Sequence, residues 1–282
     1  MNKSRGLMDF WVTKTHNLLA GRCPHVCDFC FVSQMRQPAV VKKYGGKLRW
    51  HEPAAKDKLG DHEVVFVSDC NDLFAGAVAS RLIWRIVDFY CEAVPTNWIH
   101  FRTKNPIRYV TTGVSMPDKT ILGLSLETTE PTDFYTGCGI SHAPNPIDRV
   151  QAFTRAVSPL KMVALEPLFD FDLDTMVEWI RLIDPAFVTI GVDSKNTRTP
   201  LSPPSCDKLW ALAEGLLGIC DVILKPNLSK AYDSDRLLLL ENYVYHNNST
   251  AFIDNVVYKA HNESISSMNG YGYLEALNAN KP

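Results

Sequence analysis

The chain has 282 residues, 46% of them hydrophobic and 21% charged, which suits one large α/β domain or two small ones with a sizeable core. Its 29 basic and 31 acidic residues leave a formal net charge of −2, which excludes a global electrostatic footprint for nucleic acid but not a local one. Eight cysteines at this length are not a disulfide framework, no apolar N-terminal segment suggests a secretory signal, and no run of about 18 apolar residues predicts a membrane span, so a cytoplasmic setting is expected.

Residues 10–16, FWVTKTH, are β-branched and aromatic and read as a first strand. It leads into the stretch CPHVCDFC, where Cys23, Cys27 and Cys30 are spaced Cys-x3-Cys-x2-Cys and Phe29 precedes the third. Three thiolates from one loop can hold three irons of a [4Fe–4S] cluster and leave the fourth open to a small chelating ligand. A structural zinc site is the alternative. Such sites are closed by four ligands, and the chain has no second Cys-x2-Cys pair, so His16 or His25 would have to complete it. Residues 31–62 are polar and basic, with Lys42, Lys43, Lys47, Arg49 and a Gly45-Gly46 turn. They read as a long connection, either a solvated loop or a rim that contacts phosphate.

Six short β-rich runs follow: residues 64–68, 97–102, 120–126, 161–166, 186–191 and 221–225. Several are continuously apolar, as strands buried on both faces should be. Helical patterns lie between many of them. Ser80 is placed to cap a helix through Val94, Asp174 one through Ile183, and Ser205 one through Leu217, with a further helix over 147–157. Alternation of strand and helix implies a parallel sheet of about seven strands. The fold class is α/β, an open, partial (β/α)6-type barrel over residues 1–228. Residues 229–282 are rich in Asn, Ser and Tyr and read as a C-terminal extension that packs on the core.

In parallel α/β folds ligands sit at the carboxyl ends of strands. Nearly every apolar run here closes on polar residues: Ser68-Asp69, Thr103-Lys104, Ser125 and Glu127, Glu166, Asp193-Ser194 and Lys225. Cys91, Cys206 and Cys220 fall in or beside helical patterns and read as packing residues.

The cysteine spacing resembles the signature of the radical SAM superfamily. The stretches VSDCNDLF (67–74), RTKNP (102–106), LGLSLE (122–127), LEPL (165–168), IGVDS (190–194) and ILK (223–225) occur in an order that resembles a phage- and bacteria-associated radical SAM-like family related to the spore photoproduct lyases, which repair a thymine dimer in DNA. The resemblance spans roughly residues 10–228. It implies that Cys23, Cys27 and Cys30 ligate a [4Fe–4S] cluster and that S-adenosyl-L-methionine (SAM) chelates the open iron. Electron transfer then cleaves SAM to a 5′-deoxyadenosyl radical that abstracts hydrogen from substrate.

By the same resemblance Ser68 and Asp69 stand where many members carry Gly-Gly-Glu for the SAM amino group, although the glycines are absent here. Ser125 and Glu127 stand where others contact SAM ribose or carboxylate, and Gly191-Val192 where backbone approaches adenine. Glu166 and Asp193 would contact SAM or substrate, and Lys104 and Lys225 substrate. Cys138, in a Gly-flanked loop, and Cys70 are candidates for the thiol hydrogen donor that spore photoproduct lyases use. Pro146 to Arg149 resembles that family's arginine-containing helix start. The implied partners are a flavodoxin- or ferredoxin-type electron donor and a nucleic-acid base or nucleotide, for a lyase or modification reaction. A zinc-stabilised binding module without catalysis and an iron–sulfur electron carrier are the alternatives from other classes.

Overall fold

A computed structural model describes residues 2–3, 11–130, 141–193 and 201–248. In chain order the strands are β1 (Asn2–Lys3), β2 (Lys14–His16), β3 (Leu19–Ala20), β4 (Arg49–Trp50) and β5 (Val64–Val67). Then come β6 (Trp98–Thr103), β7 (Thr120–Ser125), β8 (Leu160–Leu165), β9 (Phe187–Ile190) and β10 (Asp221–Leu224). Among the described residues the main sheet has the order β1-β2-β5-β6-β7-β8-β9-β10. β1 runs antiparallel to β2, and every other pairing in it is parallel. The seven parallel strands thus follow one another in sequence, and β10 does not return to β2. This is the open, partial barrel that the alternating pattern predicts.

Helices connect the strands. They are α1 (Pro38–Tyr44), α2 (Ser80–Ala93), α3 (Ile107–Thr111), α4 (Pro146–Thr154), α5 (Leu173–Ile183), α6 (Cys206–Leu217) and α7 (Ser234–Asn247). Because side chains alternate along a strand, each strand feeds two cores. Val65, Phe101, Leu122, Val163, Val188 and Val222 pack outward with the helices, among them Ile86 and Tyr90 of α2 and Ile180 of α5. Phe66, Ile121, Met162, Phe187 and Ile223 pack inward with Trp11 and Val12. Trp11 meets the rings of His100 and Phe187 edge-on at 4.8 and 5.2 Å, and Phe66 lies 4.6 Å from His100. These rings form an aromatic floor beneath the strand ends. Gly123 of β7 makes room for it, since a Cβ there would stand 2.8 Å from His100 Cε1.

Ser205 caps α6 as expected, its hydroxyl accepting from Lys208 N–H. Two other caps differ. Ala79, not Ser80, holds the N-cap of α2, whose sequence pattern carries it without a side-chain cap. Asp172, not Asp174, caps α5 by accepting from Thr175 N–H, so the helix begins one residue before Asp174. Residues 31–62 are more ordered than a long connection. They contain α1, and β4 pairs antiparallel with β3. Burying Leu19 and Ala20 beside the cysteine loop requires a second strand for their backbone groups. Beyond residue 228, Leu237, Leu240 and Val244 of α7 join the outer core. Asn248 bonds both N–H and C=O of Val222, tying the helix end to β10. Residues 249–282 of the C-terminal stretch lie outside the described residues. Among the described residues no helix is long and apolar enough to cross a membrane.

Gly21 sets the approach to the cysteine loop. Its φ is +104°, and a Cβ would lie 2.4 Å from the Lys47 carbonyl oxygen. Gly21→Ala is expected to cost about 2 kcal/mol or more through this backbone overlap and the left-handed φ. An unchanged urea midpoint in that variant would refute the close approach.

Candidate active site at the cysteine loop

The cysteine loop leaves β3 and lies across the carboxyl ends of the strands. Cys23, Cys27 and Cys30 are free thiols of intermediate exposure. They share one electrostatic neighbourhood. Burial pushes the Cys23 thiol up to about 12, and Asp72, Cys27 and Cys30 push the same way against the His25 N–H. Burial also raises Cys27, while Lys104, the Ser141 hydroxyl 3.1 Å away and Arg149 pull it back. This donor set fits an iron–sulfur cluster: three free thiols from one loop, with the cations of Lys104 and Arg149 near Cys27. Among the described residues no three His, Cys, Asp or Glu side chains are grouped to hold a single metal ion.

The loop is strained and held. Val26, between His25 and Cys27, has φ +46°. For a β-branched residue that region costs about 1–3 kcal/mol and persists only where neighbours enforce it. His25 supplies such contacts. Its Nε2 lies 2.8 Å from Asp72 Oδ2, and its carbonyl accepts from His142 N–H at 2.7 Å. Asp72 follows β5. Its carboxylate also accepts from Thr103 Oγ1, Lys104 N–H and Phe74 N–H at 2.7 to 2.9 Å. Burial alone would raise its pKa, but the His25 charge and these bonds hold the carboxyl below its ordinary value.

A second cluster stands beside Cys27. Glu127 is fully buried, with Lys104 against one carboxylate oxygen and Arg149 Nη1 2.7 Å from the other. Arg149, in α4, also donates to the carbonyls of Ser125 and Pro144. Lys104 lies 5.3 Å from the centre of the Phe29 ring. Burial pulls its ammonium down to about 8, with Arg149 and Arg102 adding to the pull and Cys27 and Asp72 opposing it.

A third set lines the interior above the aromatic floor. Glu166 pairs with Lys225 at 2.7 Å and lies 3.9 Å from Arg102, whose guanidinium covers the Phe66 ring. A Cβ on Gly191 would meet Asn227 Oδ1 at 2.8 Å and Glu166 Oε1 at 3.2 Å. The Val192 carbonyl accepts from Asn227, and Asp193 follows half-buried. Ser68, with φ +61°, and Thr189 carry buried hydroxyl oxygens that have no hydrogen-bond partner among the described residues. Asp69 accepts from Asn17, and its carboxyl is raised by burial. Cys70 is hydrogen-bonded to Tyr44 and Asp69, and burial raises both its thiol and the Tyr44 phenol.

Of the polar residues singled out at strand ends, Lys104 and Glu127 stand beside Cys27, while Glu166 and Lys225 pair with each other within reach of Arg102. Cys138 and Ser194 lie outside the described residues. Sequence reading gave no role to Asp72, Ser141 or Asn227, and weighed His25 only as a fourth ligand of a zinc site, whereas its Nε2 faces Asp72. Asp72 sits inside the quoted VSDCNDLF stretch, so only its long-range partners were hidden. His16, weighed as a fourth metal ligand, has both ring nitrogens engaged. Nε2 donates to the Ala54 carbonyl at 2.9 Å, so Nδ1 accepts from Tyr90 O–H at 2.8 Å. The basic stretch is also partly structural: Arg49 donates to the carbonyls of Lys42, Lys43, Gly45 and Lys47.

No family profile and no curated protein matches the sequence. Solved structures do match the architecture. A cysteine-to-serine mutant of spore photoproduct lyase aligns with a TM-score of 0.52 at 10% identity, over 78% of this chain and 78% of that one. A double mutant with bound AdoMet and dinucleoside spore photoproduct aligns at 0.50 and 10% identity, over 74% and 75%. Spore photoproduct lyase complexed with the dinucleoside spore photoproduct aligns at 0.50 and 10%, over 73% and 74%. The chain has the fold of spore photoproduct lyase. At this identity the likeness concerns architecture, and it covers the open parallel barrel on which the cysteine loop is mounted.

Two outcomes follow from the charges buried in this spore photoproduct lyase fold. Arg149→Met removes one of the two cations paired with the buried Glu127 carboxylate and should cost about 3 kcal/mol in chemical denaturation; a loss below about 1 kcal/mol would contradict the pairing. Burial lowers the His16 pKa below 6.5, so the unfolded chain binds the extra proton first. Stability should fall as pH drops through the ordinary imidazole range, and His16→Gln should flatten that part of the profile. A wild-type profile with no such slope would count against it.

Proposed function

We propose that this protein is a radical SAM enzyme in which Cys23, Cys27 and Cys30 ligate a [4Fe–4S] cluster and S-adenosyl-L-methionine binds at its open iron. One observation carries the reading: three free thiols of a single loop, each within the field of the others, stand at the mouth of a barrel that has the spore photoproduct lyase fold. Bound there, the cluster would supply the electron that cleaves SAM to a 5′-deoxyadenosyl radical, which takes hydrogen from substrate.

The chain's own residues have separable tasks. Ser68 and Asp69, at the end of β5, are assigned to the SAM amino group, and the Ser68 hydroxyl, which has no partner among the described residues, suits a polar ligand. Ser125 is assigned to the SAM ribose or carboxylate. Glu127 serves that end by holding Lys104 and Arg149 beside Cys27. Gly191, lacking a side chain, and Val192 offer backbone to adenine. Glu166, Asp193 and Lys225 line the interior where SAM meets substrate, and Lys104 is close enough to the cysteine loop to neutralise an anionic group. Cys138 is kept as the thiol hydrogen donor to a substrate radical.

A nucleic-acid base or nucleotide is the proposed substrate, in a lyase, repair or modification reaction. Its support is the likeness to spore photoproduct lyase complexed with a dinucleoside lesion. The basic stretch 42–49 adds less than its composition implies, because Arg49 is spent on backbone carbonyls. A flavodoxin- or ferredoxin-type protein in the cytoplasm would deliver the electron. Residues 1–228 act as the core and 229–282 as an extension on it, and a phage or bacterial radical SAM-like family is the proposed lineage.

The test is anaerobic reconstitution with iron and sulfide, followed by dithionite and SAM, with 5′-deoxyadenosine as the product read. Formation of the nucleoside is expected in the wild type, with loss in each of Cys23→Ala, Cys27→Ala and Cys30→Ala. A colourless protein that holds one zinc and leaves SAM intact would replace this reading with the zinc-stabilised binding module.

A further inference from the structure

The cysteine loop carries a histidine and a backbone distortion that cluster ligation does not itself require. His25 lies midway between Cys23 and Cys27, is 4% exposed, and directs its ring to the buried Asp72. The next residue, Val26, is in the left-handed region, where a free valine would not rest. Asp72 belongs to a different part of the chain, and its carboxylate is itself fixed by Thr103 Oγ1 and by the N–H groups of Phe74 and Lys104. Asn71, its neighbour, donates to the Gly21 carbonyl at the loop's entrance. At the far side Ser141 Oγ approaches Cys27 Sγ at 3.1 Å, and His142 N–H bonds the His25 carbonyl. The loop is therefore gripped at its entrance, at its centre and beside its second thiol.

We infer that Asp72, acting through His25, is the positioning residue of the cysteine loop: the pair holds the Cys23–Cys27 segment in its strained turn, so that the backbone between these two thiols is fixed before any metal arrives. This rests on the reading of those cysteines as cluster ligands, but the clamp belongs to the protein alone. A charge-assisted bond between buried groups is strong enough to hold a residue in the left-handed region. The clamp assigns His25 a fixed orientation, with Nε2 donating to the carboxylate.

The experiment uses full-length protein carrying His25→Leu, His25→Gln or Asp72→Asn. Without metal, the alkylation rate of the peptide bearing Cys23, Cys27 and Cys30 is followed by mass spectrometry, with exposed Cys91 as internal reference. After anaerobic reconstitution, iron per chain and the EPR line shape of the reduced cluster are recorded. His25→Leu should accelerate alkylation about ten-fold, lower iron retention and broaden the EPR signal, while Cys91 is unchanged. His25→Gln, whose amide can still donate to Asp72, should return most of the wild-type behaviour. Asp72→Asn should follow His25→Leu; if it does not fold, the two His25 variants decide alone. Wild-type alkylation and line shape in His25→Leu would overturn the clamp, as would equal defects in His25→Leu and His25→Gln. If the wild type takes up no cluster but the alkylation series holds, the clamp stands and the radical SAM reading falls.

Discussion

A carboxylate buried in protein is tolerable only when its oxygens are occupied, and Asp72 meets that demand by drawing on four places at once. It collects the His25 ring, the Thr103 hydroxyl and the N–H groups of Lys104 and Phe74. The cysteine loop, the turn after β5 and the end of β6 are thereby fixed relative to one another. The rest of the mouth follows from that arrangement. Lys104, placed by its own backbone bond to Asp72, reaches Glu127, and Glu127 in turn holds Arg149 and the segment that brings Ser141 to Cys27.

The sheet and the mouth obey opposite requirements. Apart from β2, the parallel strands are largely apolar on both faces, since helices cover one side and the other lines the barrel. Charge is excluded from their middles and gathers where each strand stops. Arg102 shows how narrow the margin is. Its guanidinium lies over Phe66 of the aromatic floor while it reaches toward Glu166 in the polar layer above. Gly123, beneath it on β7, is small because the ring of His100 and the stem of Arg102 need its space.

Much of this was legible from local sequence. The six apolar runs after the cysteine loop are strands to within a residue or two, because burial on both faces leaves a continuous apolar signature. Polar residues closing those runs marked the mouth for the same reason. What local patterns could not show was pairing across the chain. Ser80 and Asp174 looked like caps, yet Ala79 and Asp172 stand at those positions, because a cap depends on where the chain enters the helix. Arg49 looked like part of a basic rim, but its partners are carbonyls folded back around it. Glu127 and Arg149 lie 22 residues apart in the chain, and only the β7–α4 crossover brings them together.

The aromatic floor has a consequence for traffic. Trp11, Phe66, His100 and Phe187 pack ring against ring in the interior. A molecule entering from the strand ends therefore meets the charged layer of Glu166, Lys225 and Arg102 before it reaches a ring. Its polar groups must be paired before any apolar group on it can be buried, so recognition of charge comes ahead of desolvation.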